Sequence, residues 1–386
     1  METFTIASLA VQVRGVSYKP EDLHSSLDDS SVILLRANNI DDGRINFDDV
    51  VFVDKKRVSN EQFLRKGDIL VCASSGSKNL VGKAASVDFD KEVTFGAFCK
   101  AVRPRNIEDA DYLAMFFLSP IYRRQIAATA IGANINNIRN EHIDTLSVKW
   151  PATVKRKEIV DILSKAETII RIRKKQLSAL DDLIKARFVE MFGEQESNPL
   201  RWTESTVGEC CTLKSGTTLP TEKEDEGGPV PYVKVGDMNY PGNERYITTS
   251  SRHVTIETAG KGLFEVGSVL FPKRGGAIGT NKKRLTTLPV CADLNVMGVS
   301  SNGDLLPEYL FAFFDLVDLG SLSDGSSVPQ INNKNIAPLK ICIPPMELQK
   351  QFAAFVSQID KSKSVIQKSL DETQLLFDSL MQQYFG

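Results

Sequence analysis

The chain has 386 residues, of which 42% are hydrophobic, and carries a formal net charge of −2. Two or three domains of ordinary size fit in that length, each with its own buried core, and global disorder is excluded. So small a net charge argues against a free-standing, tightly binding nucleic-acid protein, so any DNA binding must rest on local basic patches or on a basic partner.

Met1-Glu2-Thr3-Phe4 lacks a basic, apolar leader, and no apolar run approaches the roughly 18 residues of a membrane span, so a soluble, cytoplasmic protein is expected. From residue 1 to about 150 the segments are short and β-rich: Val32 to Leu35, Val50 to Val53 and Asp68 to Cys72, with Gly, Asn and Asp between them. A mostly β domain follows, with one or two short helices, one of them at Asp111 to Arg124. After Pro151 the period becomes helical for about 40 residues, with Ile159, Ile162, Ala166, Ile169, Leu177, Leu180, Ile184 and Phe188 mostly at steps of three and four. Residues from about 194 to 343 return to the β pattern, with strands near Val230 to Val235 and Ser268 to Phe271. After Pro344 a second long helix carries Phe352, Phe355, Ile359, Ile366, Leu370, Phe377 and Leu380.

The two halves are one unit written twice. Residues 151–193 and 344–386 align without a gap at an offset of 193 (344 less 151), and the match extends back to Asn137-Ile138-Arg139-Asn140 against Gln330-Ile331-Asn332-Asn333. Upstream the offset drifts, to 197 at Tyr112 against Tyr309, to 200 at Gly67 against Gly267, and to 201 at Gly15 against Gly216. Such drift predicts short loop insertions within one scaffold. The expected class is α+β: a β domain over 1–150, a helix over 151–193, a second β domain over 194–343 and a second helix over 344–386. Each helix would be roughly 60 Å long, too long for its own domain to cover, and each carries a coiled-coil stripe, so the two are expected to pack on each other with a pseudo-twofold axis between the units.

No catalytic constellation is visible. In Gly76-Ser77-Lys78-Asn79-Leu80-Val81-Gly82-Lys83-Ala84 the glycines are one residue too far apart for a phosphate loop, and Ala84 stands where a magnesium-binding hydroxyl is needed. Arg274-Gly275-Gly276-Ala277-Ile278-Gly279 lacks dinucleotide-loop spacing. Ile343-Pro344-Pro345-Met346 lacks the acid or amide and the aromatic expected for methyl transfer to a base amino group. The carboxylates form no metal-holding cluster common to both halves. Cysteines 72, 99, 210, 211, 291 and 342 form no CxxC pair, and with three histidines they give no zinc spacing, so buried reduced thiols are expected.

Both halves do share polar, basic, glycine-bearing segments. In the first, Arg36, Asn38 and Asn39 follow a strand, and Ser74, Ser75, Ser77, Lys78, Asn79 and Lys83 follow another. In the second, Lys234, Asp237 and Asn239 follow the matching strand, and Lys273, Arg274, Asn281, Lys282, Lys283 and Arg284 come later. These residue types reach base edges and phosphates in the major groove, although solvated surface loops have the same composition. A third shared segment holds Asn134, Asn136 and Asn137 in one half and Ser326, Ser327, Gln330 and Asn332 in the other. It reads either as a structural turn or as a phosphate or partner contact.

In order and in duplicate, these features resemble the specificity subunit of type I restriction-modification systems, across essentially the whole chain. The residues that carry the likeness are Gly-Asp-Ile-Leu at 67–70, Gly-Ser-Val-Leu at 267–270, the 274–279 loop, Pro-Gln-Ile-Asn-Asn at 329–333 and the two proline-led helices ending in Phe-Gly. The resemblance implies two target recognition domains, each reading half of an interrupted double-stranded DNA site, joined by the two helices as an antiparallel coiled coil that acts as the ruler between the halves. It also implies no catalysis and no cofactor in this chain. Two adenine methyltransferase subunits using S-adenosylmethionine are the implied partners, with restriction subunits using ATP and magnesium where present. Ser74-Ser75-Gly76 stands where the second half has Arg274-Gly275-Gly276, which puts equal DNA contact by the two loops in question. An enzyme with an unrecognised site and a coiled-coil protein scaffold are the alternatives.

Overall fold

A computed structural model describes residues 2–76, 80–129, 137–323 and 328–386. The chain divides into two compact units, Met1–Lys174 with Lys368–Gly386, and Lys175–Gln367. The changes of hydrophobic period near 150, 193 and 343 mark where helices begin and end, whereas the compact units divide inside those helices. Length is the reason, because Thr153–Phe192 and Met346–Phe385 each run 40 residues, more than one small β domain can cover.

In the first unit, short β-branched segments form two four-stranded sheets. One is antiparallel, in the order Ala10–Arg14, Cys99–Pro104, Ile69–Cys72 and Ala84–Ser86. In the other, Val93–Phe95 lies parallel to Ser31–Leu35, which pairs antiparallel with Val51–Asp54 and through it with Leu23–His24. The three strands expected here therefore form within a residue or so of their expected bounds. The helix expected over Asp111 to Arg124 is instead two, Ala110–Leu118 and Pro120–Thr129. Pro120 disfavours helical backbone at the residue before it. Ser119 is accordingly extended (φ −73°, ψ 149°), and its hydroxyl accepts the Tyr122 N–H at 3.2 Å.

The second unit repeats this plan. Cys211–Ser215, Val296–Ser301, Val269–Pro272 and Arg284–Thr286 stand in the same order, with Tyr246–Ile247 added as a fifth strand. Val290–Ala292 again lies parallel to Val230–Val233. Isolated bridges confirm the drifting alignment: Val16 with Gly96 answers Thr217 with Asp293, and Ser74 with Asn137 answers Arg274 with Gln330. Gly15 and Gly216 lie where the chain crosses this parallel pair. A Cβ at either would come within 2.1 Å of a backbone oxygen, of Gly96 or of Asp293, so only glycine fits.

Each unit buries opposite ends of the two long helices. In the first, Ile159 and Leu163 share a core with Met381 and Phe385; in the second, Ile184, Phe188 and Phe192 share one with Phe352, Val356 and Ile359. Within each unit the helix ends that meet thus have opposite polarity, the antiparallel arrangement that the resemblance implies. Matched tyrosines anchor these ends. The Tyr112 ring lies 5.1 Å from that of Phe385 and its hydroxyl donates to the Lys149 carbonyl at 2.9 Å. The Tyr309 ring lies 4.8 Å from that of Phe192 and its hydroxyl donates to the Cys342 carbonyl at 2.8 Å. Each β domain is therefore completed by the Phe-Gly end of the helix belonging to the other repeat.

Candidate nucleic-acid interface

The strand Ser31–Leu35 ends in a short 3-10 turn, Ala37–Asn39, and Val230–Val233 ends in another, Val235–Asn239. A side chain closes each: the Arg36 N–H donates to Asn39 Oδ1 at 2.8 Å, and the Lys234 N–H donates to Asp237 Oδ2 at 2.7 Å. Asn39 is 0% exposed and its amide nitrogen donates to the Asp49 carbonyl at 3.2 Å. Asp237 is 4% exposed, and Oδ1 accepts the Ser251 N–H and hydroxyl at 3.1 and 2.9 Å. The sequence placed both among the DNA-facing residues; burial removes them, because their polar atoms are spent on holding the turn.

What the turn presents outward differs between units. In the first, Arg36 and exposed Asn38 both donate to Asp49 Oδ2, at 2.9 and 2.8 Å. In the second, Lys234 donates to both carboxylate oxygens of Glu224 at 2.7 Å. These cations are therefore already compensated, and any anion they meet must compete with a carboxylate. Exposed Asn239 accepts a hydrogen bond from Lys282.

The fold brings the first and second candidate segments of the first unit together. A groove of about 710 Å³ is lined by Arg36, Asn38, Ser74, Ser75 and Gly76, and also by Tyr18 and Phe98. The third segment joins them through the bridge from Ser74 to Asn137. Tyr18 and Phe98 carry no sequence signal that marks them, since an aromatic near a turn reads as core. Ser77, Lys78, Asn79, Asn134 and Asn136 lie outside the described residues. Lys83 does not join this groove. It lines a second cleft of about 750 Å³, with Arg44, Arg123, Arg171 and Lys174 opposite Asp42 and Glu167. There Arg44 pairs with Glu167 at 3.1 Å and Lys174 with Asp42 at 2.5 Å.

In the second unit the corresponding loop follows Val269–Pro272. Arg274 is exposed and bridges to Gln330, while Lys273 donates from Nζ to the Ser215 hydroxyl at 2.9 Å. Asn332 caps the turn Asn333–Ile336, its N–H donating to Asn335 Oδ1 at 2.9 Å, which supports the structural-turn reading of that segment. Ser326 and Ser327 lie outside the described residues. Lys283 also leaves the candidate set. It is 3% exposed, its ammonium donates to Asn281 Oδ1 at 2.8 Å and to the Val317 carbonyl at 2.6 Å, and burial pulls its pKa down to about 8. Arg284 likewise turns inward and donates to the Met238 carbonyl at 2.8 Å.

Among the described residues, no group of three or more His, Cys, Asp or Glu could hold a metal ion. None of the described helices is long and apolar enough to cross a membrane. All six cysteines are free and buried, and burial raises the Cys99 thiol well above its ordinary value.

The family model described as type I restriction modification DNA specificity domain matches residues 38–181 and, a second time, residues 199–373. The chain belongs to this family. Among curated relatives, the type I restriction enzyme EcoKI specificity subunit of Escherichia coli K12 is 25% identical over 407 residues, covering 98% of this chain and 86% of that protein. The StySPI specificity subunit of Salmonella potsdam is 26% identical over 418 residues, with the same coverage. Among solved structures, the type I restriction-modification S subunit from M. genitalium matches all of this chain and 96% of its own, with a TM-score of 0.54 at 16% identity. Another, from work on complex assembly and conformational transition of the type I system, gives 0.53 at 14% identity over all of this chain and 97% of that one. Type I specificity subunits carry sequence recognition and are not catalytic, which agrees with a chain whose two units each hold one specificity domain.

Proposed function

We propose that this type I specificity chain recognises an interrupted, two-part sequence in double-stranded DNA. The first unit reads one half-site through the Arg36, Asn38, Ser74 and Ser75 groove, with Ser77, Lys78, Asn79 and Lys83 as further candidates. The second reads the other half-site through Lys273 and Arg274, with Lys234, Asn239 and Lys282 as further candidates. The carrying observation is the duplicated specificity domain, in which one backbone register presents different polar side chains. One fold that repeats its hydrogen bonds and varies its outward groups suits two different short sequences. Linking two modest interfaces raises affinity through effective concentration, and the chain between them sets the half-site spacing.

Two adenine methyltransferase subunits, which would supply S-adenosylmethionine, are the proposed partners. Restriction subunits with ATP and magnesium join where the system has them, and the complex acts in the cytoplasm. Apolar side chains left exposed on the long helices support a docked protein: Val154, Ile169, Ile172 and Leu375 in the first unit, Leu183 and Val365 in the second. Methylome sequencing of cells with and without the chain tests the reading. One asymmetric, interrupted methylated motif should vanish with the chain; loss of a contiguous motif, or of none, overturns it.

A further inference from the structure

Phe98 is the only exposed phenylalanine among the described residues, with 71% of its surface open. Its backbone is nevertheless fixed, since its carbonyl accepts the N–H of Ala73 at 2.8 Å and of Ser74 at 3.0 Å. Phe98 thereby stands beside Ser74 and Ser75 at the wall of the 710 Å³ groove, which Arg36, Asn38 and Tyr18 also line. Exposing an aromatic ring does nothing for this fold, whose other phenylalanines are buried or half-buried.

The second unit supplies the control. There Asn295 occupies the same place, identified by the same hydrogen bond: its carbonyl accepts the Lys273 N–H at 2.9 Å. The Asn295 amide is tied to Asp293 Oδ1 at 2.7 Å. The scaffold therefore accepts a polar residue here, and the aromatic ring belongs to what the first unit alone does. An exposed ring on a hydrogen-bonded backbone, among amide, hydroxyl and guanidinium groups, matches a surface that is polar except at one apolar point. On the major-groove edges of the bases, that point is the 5-methyl of thymine.

We infer that Phe98 is a specificity-determining residue that contacts a thymine methyl group in the half-site read by the first unit. This rests on the DNA-reading function proposed above. The test uses the full chain with its methyltransferase partner and a duplex carrying the motif found by methylome sequencing. Each thymine is replaced in turn by deoxyuridine, which removes only the methyl group. One replacement should weaken wild-type binding about fourfold, the worth of one buried methyl group. F98A should weaken binding by a similar factor and become indifferent to that replacement, while F98L keeps the sensitivity. The inference is overturned if no thymine in the motif responds, if F98A binds like the wild type, or if the two losses multiply. It is overturned equally if F98A impairs assembly with the partner and leaves DNA affinity unchanged. Absence of any chain-dependent motif would instead remove the DNA-reading function itself, a separate outcome.

Discussion

In the first unit Arg103 donates to both oxygens of Asp68, at 2.9 and 2.7 Å, and Asp68 is 1% exposed. At the matching places in the second unit Ser268 and Ser300 share a single hydroxyl hydrogen bond of 2.8 Å. Both pairs join the start of one sheet strand to its neighbour, and the strands keep the same register around them. One scaffold thus tolerates a buried ion pair or two small hydroxyls at the same point. Backbone pairing and apolar packing set the fold, and the polar pair only has to be complete.

The sharpest way to break this equivalence is to leave one charge alone. D68A strands the Arg103 guanidinium in a mostly buried site and is expected to cost about 3–5 kcal/mol, whereas D68S combined with R103S, which copies the second unit, should recover most of that. The two tryptophans, Trp150 and Trp202, fall one in each unit. Urea unfolding followed by Trp150 fluorescence in a W202F background therefore reads the first unit. If the double variant were no more stable than D68A, equivalence of the two pairs would be wrong.

A second contrast lies between Lys83 and Lys283, which match at an offset of 200 (283 less 83). Lys83 is half-buried at a cleft wall, whereas Lys283 is enclosed, with its pKa drawn down to about 8 by desolvation from an ordinary 10.5. Below pH 8 this lysine is charged in both folded and unfolded chains, and burial of the charge opposes folding. Between pH 8 and 10.5 the unfolded chain binds more proton than the folded one, so stability rises with pH across that window. The gain is at most about 3 kcal/mol by the free-energy worth of such a shift. K283M should lack this rise while K83M retains it, as read by urea midpoints at pH 7.5 and 10; identical slopes in all three proteins would exclude a buried titrating lysine.

Much of this architecture was legible in the sequence because periodicity and repetition report backbone. The apolar stripes of the long helices and the strands near 32–35, 69–72 and 269–272 all follow from side-chain period, and the drifting offsets reappear as matched bridges. Burial of single polar residues was not legible. Asn39, Asp237 and Lys283 look like surface groups in a polar run, and only the turn or crossing that each closes shows where its atoms go. The exposure of Phe98 was not legible either, since hydrophobicity alone cannot report that a ring faces out. Nor could the sequence show that the Phe-Gly end of each helix packs against the other repeat's β domain, because a local pattern does not name its distant partner.

Loop chemistry gives the next contrast, smaller in energy. Exposed Arg274 in the second unit corresponds to half-buried Ser74 in the first. A bidentate arginine contact to a base is worth about 1–3 kcal/mol, so R274A should weaken binding of the methylated motif by that amount and relax one position of one half-site. S75A, which removes one neutral hydroxyl, should cost about 0.5–1.5 kcal/mol at the other half-site. Competition binding against single-mismatch duplexes separates the cases. Equal loss on every sequence, together with a shallower salt dependence, would assign Arg274 to phosphate rather than base.

The least effect is expected at the hydroxyl pair. S300A removes one partner of the 2.8 Å bond, but Ser268 keeps a second acceptor, the Glu265 carbonyl at 2.7 Å, to which its hydroxyl can donate. No buried donor is left unsatisfied, so the cost should be about 1 kcal/mol, the net worth of one neutral hydrogen bond. S268A removes the shared bond and the Glu265 bond together, yet Glu265 still accepts the Thr286 hydroxyl at 2.7 Å, so it should cost only slightly more. Trp202 fluorescence in a W150F background measures both. A loss at Ser300 as large as that of D68A would mean that the hydroxyl pair holds the second unit's strands as the ion pair holds the first, and that its smallness conceals an equal constraint.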